Sequence, residues 1–133
     1  MKKEIISTQN APKAVGPYSQ AIKVGNFLFC SGQIGIDPQN NKLVNGGITA
    51  ETKQVFKNIE SVLIASNFAT KNIAKVNIYM ADVKAFQIVN EMYSSFFKKI
   101  DKLPARSAVG IKELPLGASI EIEIIAIKCD NNS

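Results

Sequence analysis

The sequence has no histidine and one arginine, Arg106. Without histidine there is no Ser-His-Asp triad, Cys-His dyad, imidazole general base or imidazole-bound metal. The two cysteines, Cys30 and Cys129, lie far apart and form no CxxC pair. This excludes a cysteine zinc site and a disulfide scaffold, and it fits a reducing compartment. No stretch reaches the ~18 apolar residues of a membrane span. The start, Met1-Lys2-Lys3-Glu4-Ile5-Ile6-Ser7, lacks the apolar centre of a secretory signal. The expectation is a full-length cytoplasmic protein with no membrane partner. Its acids, bases and electrophile-binding groups have to come from Glu, Asp, Arg, Lys, Tyr, Ser or the backbone.

Lys and Arg total 16 against 11 Asp and Glu, a formal charge of +5. The lysines are scattered, and the tight cluster Lys98-Lys99 with Lys102 is interrupted by Asp101. Arginine, the side chain best suited to phosphates and base edges, occurs once. The charge therefore reads as a solvated basic surface rather than a nucleic-acid site. A chain of 133 residues corresponds to one domain, 1–133. A chain of this size buries roughly two thirds of its unfolded surface.

Gly25-Asn26 is a hairpin signal between apolar runs, so Ser19–Val24 and Phe27–Ser31 read as antiparallel strands, with Glu4–Ser7 as an earlier one. Residues 36–47 are dense in turn formers and read as a loop. A helix is expected to start at Thr49, with Thr52 a competing cap. Val55, Phe56, Ile59, Val62, Leu63 and Ser66 form its buried stripe. Ala74, Val76, Ile78 and Met80 alternate with polar positions, which predicts a strand. A second helix runs from about Val83 to Lys98, with Phe86, Val89, Tyr93, Phe96, Phe97 and Ile100 as its stripe. Leu103-Pro104 ends it, and Ala105–Ile111 and Ser119–Lys128 are the last strands. The polar ends, Thr8-Gln9-Asn10 and Asp130 to Ser133, read as loose termini.

The order βββαβαββ indicates an α+β fold, a mostly antiparallel sheet with both helices on one face. On the last strand Ile120, Ile122, Ile124 and Ala126 point one way, and Glu121, Glu123, Ile125 and Ile127 point the other. Both faces carry isoleucines but helices cover only one, so the other is expected to pack against another subunit.

Arg106 follows Pro104-Ala105 and precedes the small residues Ser107 and Ala108. It is either a surface ion pair or a bidentate carboxylate clamp. Glu121 and Glu123 form either an ordinary exposed strand face or a carboxyl in a partly apolar cleft that activates water. Asn90, at the edge of the second stripe, either caps backbone or faces a cleft. Tyr18 is fixed by the turn Gly16-Pro17, and Ser31 precedes Gly32-Gln33 at a strand end. With no histidine to activate it, Ser31 is a hydrogen-bond partner or structural, not a nucleophile. Gly46-Gly47 lacks the Lys-Ser/Thr ending of a phosphate loop.

Five blocks carry a resemblance: Gly16-Pro17-Tyr18-Ser19-Gln20-Ala21, Ser31-Gly32-Gln33-Ile34, Val89-Asn90-Glu91-Met92-Tyr93, Pro104-Ala105-Arg106-Ser107 and Ile120-Glu121-Ile122-Glu123. In this order and spacing the chain resembles the RidA (YjgF) family over almost its whole length. The resemblance implies a chorismate-mutase-like fold and a homotrimer with active sites between subunits. It implies hydrolysis of 2-imino acids such as 2-iminobutanoate and 2-iminopropanoate to 2-keto acids and ammonia, with no metal or organic cofactor. Arg106 matches the arginine that clamps the substrate carboxylate, and Glu121 the glutamate that positions the attacking water. Tyr18, Ser31 and Asn90 match cleft residues, with Gly32 and the backbone of Arg106, Ser107 and Ala108 nearby. Some members carry cysteine at the position of Ala108, so a mechanism needing that thiol is excluded here. The alternatives are a small-carboxylate binding module, a ribonuclease or translation inhibitor, and a holdase-like chaperone.

Overall fold

The computed structural model describes residues 1–129; the tail from Asp130 to Ser133 lies outside them. Three short strands, β1 (Lys3–Ile6), β2 (Ala21–Val24) and β3 (Phe27–Cys30), open the chain. The β2–β3 connection is the expected two-residue turn, with Gly25 at φ 58°. A small ribbon, β4 (Ile36–Asp37) with β5 (Lys42–Leu43), lies inside the segment expected to be loop. Helix α1 (Gly47–Ala65), strand β6 (Ile73–Met80), helix α2 (Phe86–Phe96), and strands β7 (Ala105–Gly110) and β8 (Ile120–Ile127) follow.

The main sheet runs β1-β2-β3-β8-β6-β7. Every pairing is antiparallel except β6–β7, which is parallel because α2 forms the crossover between them. Val55, Ile59, Val62 and Leu63 of α1, Val89 and Tyr93 of α2 and Phe97 just after it share one core with Val76, Ile78, Met80, Ile120, Ile122 and Ile124 of the sheet. Both helices therefore cover the same face, as expected. The other face carries Phe27, Phe29, Ile125 and Ile127. The two phenylalanines are 41% and 45% exposed and stack on each other.

Several boundaries differ from expectation. Helix α1 begins at Gly47, with Gly46 as N-cap at φ 117°, a conformation glycine adopts and threonine rarely does. Thr49 is thus inside the first turn, and Thr52 is fully buried. The second helical stretch opens with a 3₁₀ turn at Val83–Ala85, capped by Asp82, and its α-helix stops at Phe96. A bulge in β6 skips Ala74, so Ile73 takes the core position expected for alanine. Thr8-Gln9-Asn10 is not loose. The buried Gln20 amide accepts from Thr8 N (2.7 Å) and donates to the carbonyls of Thr8, Ala11 and Pro12. This clamp holds the segment that leads into the site.

Candidate functional site

Glu121 stands on the sheet face opposite the helices, paired with Tyr79. The pairing of Gln33 with Ile122 brings Gly32 against its carboxyl. A β-carbon at Gly32 would lie 2.7 Å from Glu121 Cδ and Oε2, so a side chain there would occupy the space the carboxyl uses. Burial, and secondarily the charge of Glu123, push the Glu121 proton affinity above that of an ordinary glutamate. Glu123 is anchored: Tyr79 Oη donates to its Oε1 at 2.6 Å and Asn77 Nδ2 at 3.1 Å. Glu121, Gly32 and Tyr18 line one cavity of about 330 Å³. Tyr18 is set by a tight loop in which its N–H donates to Gly16 O at 2.8 Å.

Buried polar groups of α1 brace this region. Glu51 accepts from Ser119 N at 2.7 Å, just before β8. Asn58 donates to Ile36 O at 2.9 Å, beyond the Gly32 segment. Composition-based reading treats such residues as solvent-facing. The available signal was their position, since Glu51 and Asn58 share the stripe of Val55 and Val62.

Arg106 lies on the edge strand β7, paired with Val76, whose side chain is fully buried on the helix side. Its guanidinium stacks on Tyr93 (4.6 Å to the ring centroid) and Phe86 (5.3 Å). Nη1 donates to Asn90 Oδ1 at 2.7 Å. Asn90 therefore faces Arg106 rather than capping backbone, and the partner of Arg106 is a neutral amide rather than a carboxylate. Four of the five guanidinium N–H groups remain for a ligand. Burial raises the Tyr93 phenol, partly offset by Arg106.

Arg106 and Glu121 do not meet within one chain. Val76 and Tyr79 point to opposite faces of β6, so their partners Arg106 and Glu121 do too. Two strand spacings of about 4.8 Å and three residues of about 3.3 Å put their Cα atoms roughly 14 Å apart. The other expected residues are divided as well. Ser31 donates its hydroxyl proton to Ser19 O at 2.6 Å and lines a neighbouring depression with Phe29 and Ala21. Ser107 accepts from Lys75 Nζ at 3.3 Å, and Ala108 packs against the core beside Ile78. Burial pushes the Cys30 thiol up to about 12, so it supplies no thiolate near neutral pH.

These features define a class: a small α+β protein whose carboxyl-bearing cavity and amide-held arginine occupy opposite faces of one sheet. Residues 8–128 match the family described as endoribonuclease L-PSP. The chain is 50% identical over 123 residues to a RutC family protein of Aquifex aeolicus, covering 92% of this chain and 98% of that one. It is 44% identical over 126 residues to the human 2-iminobutanoate/2-iminopropanoate deaminase, covering 95% and 90%. A solved structure of a Rid family protein from Yersinia pestis superposes with a TM-score of 0.92 at 42% identity, covering 96% and 100%. The chain belongs to this endoribonuclease L-PSP, or RidA, family.

Proposed function

We propose that this protein hydrolyses reactive 2-imino acids, such as 2-iminobutanoate and 2-iminopropanoate, to 2-keto acids and ammonia. It does so at sites completed between copies of the chain in a homotrimer, without a cofactor. The observation that carries this reading is the half-buried Glu121 in a cavity, its proton affinity raised by burial, with Arg106 holding free donors on the other face. A human relative named for this activity supports it.

Arg106, held by Asn90 and stacked on Tyr93, binds the substrate carboxylate with the donors Asn90 leaves free. The protonated imine carbon is electrophilic, so water suffices as nucleophile. Glu121 of a neighbouring copy takes a proton as the water oxygen bonds to carbon. It then delivers that proton to nitrogen, the C–N bond breaks as the hydroxyl proton passes to the Glu121 carboxylate, and ammonia leaves with the keto group formed. A carboxyl of raised proton affinity suits both transfers. Tyr18 and Gly32 line the water side, and Ser31, Ser107 and Ala108 the cleft margin. The family description attaches a ribonuclease activity, but with no histidine and one arginine the chain offers neither an imidazole pair nor an arginine-rich track for RNA.

The test generates 2-iminobutanoate in place with a threonine dehydratase and traps the remainder with semicarbazide. Wild type removes the imine; Arg106→Ala and Glu121→Gln each do not. Refolding the two variants together restores activity in about a quarter of the sites of randomly mixed trimers, because hybrid interfaces regain both groups. No turnover by folded wild type would leave a small-carboxylate binding module. Turnover without recovery on mixing would mean that Arg106 and Glu121 do not serve one shared site.

A further inference from the structure

The cavity beside Glu121 is far larger than the reacting atoms need. Pockets of about 300–1,000 Å³ enclose drug-sized ligands, and this one is about 330 Å³, whereas 2-iminobutanoate carries only an ethyl side chain. Away from Glu121 and its neighbour Gln33 the walls are largely apolar: Val15, Ile34, Ile36, Pro115 and Leu116. Lys13 and Asn41 are exposed polar members of the lining, and the Gln20 amide is spent on backbone groups.

Two of these wall residues bring the fold little. Leu116 is 70% exposed and sits at φ 58°, ψ 21°, in the left-handed region that leucine disfavours. The 3₁₀ turn Pro115–Gly117 that contains it buries none of its residues. Val15 is 81% exposed. A strained leucine with no burial in its own chain to offset it, set on the wall of the cavity that holds Glu121, points to a ligand in that cavity that covers it.

We propose that Leu116 and Val15 form the wall that receives the substrate carbon chain, and that the site prefers 2-imino acids with aliphatic side chains of three or more carbons. This rests on the imine hydrolysis proposed above, with Glu121 fixing the reacting end and the side chain lying along the wall. Each methylene that enters an apolar pocket raises kcat/KM about fourfold until the wall is covered. Charged side chains gain nothing there.

The test forms imines in place from alanine, 2-aminobutyrate, norvaline and norleucine with an L-amino-acid oxidase and catalase, and follows their decay by semicarbazide trapping. Wild-type kcat/KM rises along the series. In Leu116→Gly the norleucine-to-alanine ratio collapses toward one, while the melting temperature rises because glycine accepts the left-handed backbone. A flat wild-type series, or a Leu116→Gly variant that keeps the wild-type ratio, overturns the proposal. If wild type turns over no imine, the parent reading fails, and binding of the matching straight-chain 2-keto acids decides the wall alone. Affinity that climbs with chain length and loses that climb in Leu116→Gly supports the wall; flat or undetectable binding overturns it.

Discussion

Gly32→Ala separates placing a carboxyl from folding the chain. The new β-carbon would stand 2.7 Å from Glu121 Cδ and Oε2, while ordinary contact begins at 3.4 Å. The backbone here cannot retreat freely, because Gln33 N donates to Ile122 O at 2.8 Å and Ile122 N to Gln33 O at 3.0 Å. The carboxyl is the far end of a flexible side chain, so it moves instead, by about 0.7 Å. Misplacing a reacting group on the order of 1 Å costs about 100-fold in rate. A 30- to 100-fold fall in turnover is expected, roughly in that range. The loss falls on kcat rather than KM, since in the proposed reaction carboxylate binding falls to Arg106 on the other face. Stability should hold or rise by about 0.4–1 kcal/mol, because alanine narrows the unfolded ensemble. Imine-decay kinetics and a thermal melt are the assays. Turnover within threefold of wild type, at unchanged melting temperature, would refute the placement of Glu121. In a Glu121→Gln background Gly32→Ala should cost nothing further, because the group it displaces no longer acts.

Iodoacetamide near neutral pH should label Cys129, which is exposed, and spare Cys30, whose thiol burial pushes up to about 12; peptide mass spectrometry reads the ratio, and equal labelling would mean that the β3 end opens readily. Glu121→Gln tests the raised proton affinity through stability. The folded state holds that proton more tightly than the unfolded chain, so the group favours folding at acid pH and loses that contribution as pH rises through its folded value. The neutral glutamine should therefore melt higher than wild type near pH 7, and the gap should close below about pH 4; a gap independent of pH would mean that the surroundings do not raise the carboxyl's proton affinity.

What could be read from the residues alone follows from which regularities are local. The stripe Val55, Phe56, Ile59, Val62, Leu63 and the alternation along β8 are periodic, and both predicted their buried faces. The start of α1 was not legible, because a left-handed Gly46 does the work assigned to a threonine cap. The bulge at Ala74 depends on the pairing partner β8. The contact of Gly32 with Glu121 depends on a bridge between segments distant in sequence. Asn90 and Arg106 could be named from their motifs. Their mutual bond could not, because it needs the parallel crossover that sets α2 over β7.

The division of the site follows from the same parity. Side chains alternate faces along a strand, and paired residues share a face. Val76 belongs to the helix side and Tyr79 to the other, so Arg106 and Glu121 of one chain point away from each other across the sheet. If both act in one reaction, a second copy has to supply one of them. The face that carries Glu121 also carries Phe27, Phe29, Ile125 and Ile127 with no helix over them. The open face that argues for assembly is thus the one whose site lacks an arginine. In the proposed reaction, association would bury those side chains and bring an arginine to the carboxyl in a single event, which would tie the chemistry to the oligomer rather than to the fold of one chain.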